Sequence, residues 1–163
     1  MTHNRFVAAI CMALAALMLA VVSSAQGAEK QVWVFVKSGA EARLFYGVPD
    51  SGNLTIAFVC EAKRLSIVTT VLPPNPKKGR AVRTTLSNGA VVAAYDGTLG
   101  HTESEGFYVE ASTPSDDKVL NVLKTGTSLM IGANGKQQER LPLRGVARPL
   151  AQFKAACFRG PST

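Results

Sequence analysis

Cysteine and histidine are the side chains in this 163-residue sequence best able to act as nucleophiles or metal ligands. Cys60 ends the stretch LTIAFVC, Cys157 lies near the C-terminus, and His101 lies between them in the polar stretch TLGHTESEG. A catalytic cysteine needs an exposed, electropositive setting and a histidine partner, whereas His101 is predicted to lie in a flexible loop. A structural zinc site needs four closely spaced ligands, which these residues do not supply. We therefore expect neither chemistry.

Carboxylates are the other candidate catalytic groups. The ones that can meet in the folded chain as an acid–base pair for glycoside hydrolysis are Asp50, Asp96, Glu103, Glu105 and Glu110. No spacing favours such a pair. If residues 101–105 are extended, His101, Glu103 and Glu105 share a face and form a weak metal site, but a solvated loop is the simpler interpretation. The sequence thus predicts no catalytic residue, no metal and no cofactor, with a hydrolase left as an alternative.

Basic residues fall into two groups that can form one anion-binding surface. Its candidate residues are Lys77, Lys78, Arg80, Arg83, Arg140 and Arg144. They contribute to a formal net charge of +7, which favours an anionic neighbourhood such as a membrane surface, a cell-wall polymer or an acidic partner. A charge that serves only solubility is the alternative interpretation. No nucleic acid partner is expected, because the N-terminus predicts an exported protein.

The N-terminus has the pattern of a secretory signal peptide over residues 1–28. Arg5 precedes the uncharged run FVAAICMALAALMLAVV, and the small residues of SSAQGA then suit cleavage after Ala25 or Ala28. The alternative is an uncleaved anchor, for which this run is at the lower length limit. Cys11 is interpreted as an apolar residue of the signal. Residues 29–163 are then expected to be one soluble, monomeric domain that is periplasmic or secreted and free to contact a membrane peripherally.

Export also decides how the two remaining cysteines are interpreted. Disulfides persist outside the cytosol, and two cysteines allow only one intramolecular pairing. Cys60 shares a predicted strand face with Ile56 and Phe58, and Cys157 shares a predicted helix face with Phe153. We therefore predict a Cys60–Cys157 disulfide, which by closing a loop of roughly 100 residues stabilises the domain by up to about 4.7 kcal/mol.

Strand patterns dominate the mature chain. They are rich in β-branched or alternating apolar residues and cover 31–37, 41–47, 54–61, 64–72, 81–97, 107–112 and 127–145. The stretch 81–97 contains Asn88-Gly89, which suits a tight type I′ turn with two positive φ angles. The stretch 127–145 contains Asn134-Gly135 in its turn. Short strands with frequent turns predict a mainly β domain, an antiparallel β-sandwich or barrel.

Two helices and one turn complete the predicted architecture. A short helix is expected near 114–125, with Thr113 as its N-cap and an apolar stripe from Val119 to Leu123. A C-terminal helix is expected near 146–158, because apolar residues recur there at helical spacing. The turn PDSGN before Cys60 exposes polar side chains that folding does not require, which makes it a further candidate for function.

Several motifs resemble those of a group of small exported proteins of alpha-proteobacteria. The motifs are ARLFYGVPDSGNLTIAFVCE from Ala42, FYVEA from Phe107, LPLRG from Leu141 and FKAAC from Phe153. This resemblance covers about residues 31–157 and implies a periplasmic or secreted location and a Cys60–Cys157 pair, without catalytic residues. In size, strand order and terminal helix with cysteine, the chain is also similar, more distantly, to the invasion-associated protein B family and to type VI secretion accessory sandwiches.

These observations predict a non-catalytic exported accessory protein that binds an anionic envelope component or a partner protein. One alternative is an enzyme inhibitor or virulence-type factor acting through a projecting loop such as 73–80. A third is the carboxylate hydrolase. A broad basic or apolar patch favours the first hypothesis, a rigid projecting loop the second, and a deep pocket with converging carboxylates the third.

Overall fold

The computed structural model describes residues 30–62, 64–104, 106–113 and 117–158, so the predicted signal peptide lies outside the described residues. Within these ranges the chain forms nine β-strands, a 3₁₀ helix and an α-helix. The elements are β1 Val32–Ser38, β2 Glu41–Gly47, β3 Leu54–Glu61, β4 Arg64–Thr69, β5 Ala81–Ser87, β6 Val92–Thr102, β7 Gly106–Thr113, the 3₁₀ helix Asp117–Leu123, β8 Ser128–Ala133, β9 Lys136–Pro142 and α1 Ala147–Phe158.

All nine described strands belong to one antiparallel sheet in the order β1-β2-β3-β4-β7-β6-β5-β8-β9. The sheet is curled into a half-barrel, which confirms the predicted mainly β, antiparallel architecture and places it closer to a barrel than to a two-layer sandwich. Because β7 and β6 separate β4 from β5, the chain between those two strands has to cross two neighbours. Residues 70–80, which we call the crossover loop, make this connection.

The inner face of the sheet holds the main hydrophobic core. Leu44, Ile56 and Phe58 are fully buried there because alternate residues of β2 and β3 point to one side. The 3₁₀ helix and α1 fill the hollow of the half-barrel from that side, and Phe153 of α1 is likewise fully buried. The predicted apolar face of α1 is therefore confirmed.

A second cluster of buried residues lies on the same face below the crossover loop. Val82, Leu99 and Val109 come from three neighbouring strands, and Leu72 of the crossover loop packs against them. The loop is also tied to β6, because Gly79 N donates to Leu99 O at 2.8 Å and Leu99 N donates to Arg80 O at 2.9 Å. The Pro-rich segment 73–80, which the inhibitor hypothesis requires to project, is therefore anchored to the sheet at its C-terminal end.

The predicted disulfide between Cys60 and Cys157 is present. It joins β3 to α1 across 97 positions, with a Cα–Cα distance of 5.8 Å, and both residues are buried in the main core. A disulfide of this kind indicates a non-cytoplasmic environment, since reducing compartments keep thiols free.

The two predicted helices differ in type. The short one is a 3₁₀ helix that begins at Asp117, and its apolar residues Val119, Leu120, Val122 and Leu123 are buried as expected. Thr113, predicted as its N-cap, is instead the last residue of β7, and residues 114–116 lie outside the described residues. The tertiary contacts of this apolar stripe hold a short segment that would be too short for a stable isolated helix.

Two local predictions in the β5–β7 region are wrong. The turn at Asn88-Gly89 is not type I′, because only Gly89 has a positive φ, and Asn88 instead donates its side-chain amide to Val122 O at 3.1 Å and Thr125 O at 2.9 Å. The loop predicted over 98–106 is strand up to Thr102. A Cβ on Gly97 would lie 2.6 Å from Glu110 O, so a glycine here lets β7 approach closely enough to pair.

Candidate binding site on the outer face of the sheet

The outer face of the sheet, turned away from the 3₁₀ helix and α1, carries an open groove over β2, β3, β4 and β7. Three neighbouring cavities of about 850, 450 and 490 Å³ form it, and Val68 lines all three. No helix of the described chain packs on this side, since the buried residues of both helices belong to the inner core. We call this feature the outer-face groove.

The middle of the groove is an apolar hollow, which is created by one small residue. Ala57 lies between Phe45 on β2 and Val68 on β4 in the sheet register, and it is only 3% exposed. A methyl group between two larger side chains leaves a hollow in the row. Val59, two positions along β3, extends the same apolar floor. The 450 Å³ cavity occupies this hollow.

Tyr108 forms the wall of the groove on the β7 side. Gly100 is its register partner on β6, and a Cβ on Gly100 would lie 2.6 Å from Tyr108 Oη and closer still to the ring. The ring therefore occupies the space above Gly100, which holds it beside Val68 and Leu54 in the cavity lining. The 450 Å³ cavity, the central cavity of the groove, is therefore lined by two aromatic side chains, Tyr108 on β7 and Phe45 on β2.

One end of the groove is charged. The largest cavity is lined by Glu41, Arg43, Glu61, Arg64 and Glu110, and Glu41 forms an ion pair with Arg43. Neither Glu61 nor Glu110 forms an ion pair with another described residue. Lys63, between Glu61 and Arg64, lies outside the residues that the structure describes. Glu110 is the register partner of Val68, so its carboxylate borders the apolar floor directly.

The turn between β2 and β3 closes the other end of the groove. Ser51 Oγ donates to Val48 O at 3.0 Å and accepts from Asn53 N at 3.1 Å, while Val48 N donates to Asn53 O at 2.9 Å. These bonds hold Asp50 with a positive φ of 61° at the mouth of the central cavity. The exposed polar turn that the sequence singled out is therefore part of the groove.

The six predicted anion-binding residues do not lie in the outer-face groove. Lys77, Lys78 and Arg80 are exposed on the crossover loop. Arg83, on β5, donates from one guanidinium nitrogen to both carboxylate oxygens of Asp96, at 2.8 and 2.9 Å.

The other two cations of this set are farther along the sheet. Arg140 pairs with Met130 in the register, and Asn134, four positions beyond Met130, bonds the backbone of Arg83. The four positions from Met130 to Asn134 span roughly 14 Å in the direction of β8, at about 3.4 Å per residue. Arg144 follows the C-terminal end of β9, in the turn before α1. The anion-binding role of these residues stays a prediction.

The carboxylates proposed for a hydrolase are only partly gathered. Asp50 and Glu110 both belong to the groove lining, whereas Asp96 is paired with Arg83 on β5 and β6. His101 lies on β6 with its ring 4.5 Å from that of Phe107, centroid to centroid, and Glu105 lies outside the described residues. Among the described side chains no group of three or more His, Cys, Asp or Glu could hold a metal ion.

The fold and the groove together define a disulfide-stabilised β half-barrel with one open, partly apolar face. No protein-family model, curated protein or solved structure matches the chain. The described helices include none that is long and apolar enough to span a bilayer. The resemblance to exported alpha-proteobacterial proteins therefore stays a prediction, and the outer-face groove is the feature of the fold that bears on function.

Proposed function

We propose that this chain is an exported, non-catalytic accessory protein that holds a partner protein on its outer-face groove. The observation that carries the proposal is the apolar hollow that the small side chain of Ala57 leaves on the outer face of the sheet. The solvated face of an antiparallel sheet is normally polar, whereas this row is apolar and the described helices cover only the opposite side. Apolar surface rimmed by polar residues is typical of interaction sites.

The shape and composition of the groove support a protein partner over a small substrate. Its three cavities share lining residues and stay open to solvent, whereas substrate sites usually enclose most of their ligand. An apolar centre with a polar rim is also the composition of protein–protein interfaces. Phe45 and Tyr108 supply the aromatic contacts that such interfaces favour.

Export is the second element of the proposal. The Cys60–Cys157 disulfide supports a non-cytoplasmic location, and the predicted signal peptide gives a route to the periplasm or the medium. Residues 29–163 would then be the mature, monomeric form that meets its partner in the envelope or outside the cell.

The proposal is tested by comparing two Val→Glu variants as baits in envelope extract. Val59→Glu places a charge on the apolar floor of the groove, and Val92→Glu places the same charge at a β6 position that is 68% exposed and outside the lining. We expect Val59→Glu to lose the captured partner and Val92→Glu to keep it. Retention by both variants, or equal loss by both, would contradict the proposal, provided that circular dichroism shows both are folded.

The crossover loop supports a second candidate function, binding to an anionic envelope surface. Lys77, Lys78 and Arg80 are exposed, and none forms an ion pair with a residue that the structure describes. The bonds between Gly79, Arg80 and Leu99 hold these cations at a fixed place beside β6. A local excess of positive charge of this kind attracts anionic polymers and lipids.

A further inference from the structure

We propose that the outer-face groove takes an extended polypeptide segment that carries lysine or arginine side chains between apolar ones. This inference rests on the proposed function and names the chemistry of the partner. It begins from charge: although the whole chain is basic, four of its 11 acidic residues line the groove, against two arginines. The four are Glu41, Asp50, Glu61 and Glu110.

The existing ion pairs leave most of this negative charge uncompensated. Glu41 neutralises Arg43, so the lining has one remaining described cation, Arg64, against the three carboxylates of Asp50, Glu61 and Glu110. An anionic ligand would add repulsion to these carboxylates, whereas a cationic one complements them. The groove therefore differs in sign from the crossover loop of the same molecule.

The apolar floor indicates the kind of cation. Lysine and arginine carry long aliphatic stems that pack on apolar surface while their charged heads stay in water. Val68 offers such a surface, its register partner Glu110 offers a carboxylate, and Tyr108, two positions from Glu110 on the same face of β7, offers an aromatic ring. Carboxylate and ring together favour an ammonium or guanidinium group.

The length of the groove indicates a polypeptide. Its lining runs along β3 from Leu54, beside the turn, to Glu61 at the charged end. These residues are seven positions apart, about 24 Å at 3.4 Å per residue, which matches an extended segment of about seven residues. Carboxylates lie at both ends, Asp50 near Leu54 and Glu61 at the other, so cations at both ends of the segment find a partner.

The test uses fluorescent heptapeptides and the exported, disulfide-bonded protein. The probe is Lys-Val-Lys-Leu-Lys-Val-Lys, and its control has Gln at every Lys position. We expect the lysine probe to bind and the glutamine control to bind at least tenfold more weakly. Glu110→Lys should weaken the lysine probe by about tenfold through loss of one attraction and gain of one repulsion, whereas Glu139→Lys, on β9 outside the lining, should change it less than twofold.

The outcomes separate this inference from the proposed function. Equal binding of both peptides, or equal effects of Glu110→Lys and Glu139→Lys, overturns the requirement for cations. If Val59→Glu still abolishes capture of the envelope partner in that case, the proposed function stands and only the partner chemistry is wrong. If the lysine probe binds undiminished to Val59→Lys, which places a like charge on the floor of the groove, the groove is not its site and the inference fails. Spermidine, a cation without apolar side chains, should not displace the probe at equal concentration, and displacement would contradict a polypeptide ligand.

Discussion

Tyr108 occupies the space where a side chain at Gly100 would lie. The two residues are register partners on β7 and β6, and a Cβ on Gly100 would come within 2.6 Å of Tyr108 Oη. The missing side chain on β6 thus fixes the position of an aromatic ring in the lining of the outer-face groove. A wall that is already in place lowers the cost of ordering the site when a partner binds.

Gly100→Ala should therefore displace the Tyr108 ring and weaken both stability and peptide binding. Overpacking in a core lowers the free energy of unfolding by about 1–3 kcal/mol, and the cost here should lie at the lower end because the displaced atoms are the far end of a partly exposed ring. The matched experiment is the same substitution in a Tyr108→Ala background, where the space is free and alanine should be neutral or stabilising. Urea unfolding measures both costs. An equal cost in the two backgrounds would show that Tyr108 is not what excludes a side chain at position 100.

Removal of the Cys60–Cys157 disulfide should lower stability strongly without changing the groove. The bond closes a loop across 97 positions between β3 and α1, and a loop of about that length corresponds to about 4.7 kcal/mol in the chain-entropy model. We expect the double variant Cys60→Ala/Cys157→Ala to show a much lower urea midpoint than the oxidised protein. A midpoint that is unchanged would contradict the stabilising role assigned to the bond.

Trp33 should contribute a hydrogen bond that links the two edge strands. Its indole Nε1 donates to Pro142 O at 2.7 Å, which connects β1 to β9 across the hollow of the half-barrel. Trp33→Phe removes this donor from a residue that is 6% exposed, and we expect a loss of about 1–3 kcal/mol.

The control for Trp33 is Tyr46→Phe on the neighbouring strand. The Tyr46 ring packs against Trp33 at a centroid distance of 5.4 Å, and its hydroxyl bonds no other described residue. Loss of that hydroxyl should change the free energy of unfolding by less than about 1 kcal/mol. If both variants lose the same stability, the Trp33–Pro142 bond does not hold the edges together.

The two groups of cations should behave independently if the crossover loop binds anionic surfaces. Lys77→Glu/Lys78→Glu/Arg80→Glu should abolish sedimentation with vesicles that contain anionic lipid, because three attractions of about 1 kcal/mol each become repulsions. Arg140→Glu/Arg144→Glu changes residues at a distance from the loop and should leave most of the binding. Unchanged sedimentation of the triple variant would remove the second candidate function, and equal loss in both variants would favour one combined surface.

Local patterns predicted the inner face of the fold well. The alternation through Ile56, Phe58 and Cys60 placed the cysteine inside, and the helical spacing of Phe153 and Cys157 placed its partner, so the disulfide followed from two independent periodicities and the cysteine count. Errors arose where a contact between distant segments decided the local conformation. The Asn88 side chain bonds Val122 and Thr125, more than 30 positions away, and so does not form the turn that its own sequence favours.

The outer-face groove was not predicted, although part of its signal is visible. Phe45, Val59 and Val68 occupy the strand positions opposite in parity to the core residues, and an apolar row on that side already indicates a second covered or binding face. What the sequence does not show is the register that sets Ala57 between Phe45 and Val68, or the pairing of β4 with β7 that brings Tyr108 and Glu110 beside them. Strand order in a sheet depends on contacts between distant residues, which single-strand patterns do not contain.

The most direct measurement of the central claim is an NMR titration of methyl-labelled, exported protein with the lysine heptapeptide. If the outer-face groove is the binding site, the methyl signals of Ala57, Val59 and Val68 shift first and most. The methyl signals of Val92, exposed outside the groove, and of Leu86, buried in the inner core, stay in place. Saturable shifts at Val92 with none at Ala57, Val59 and Val68 would contradict the assignment of this face as the binding surface.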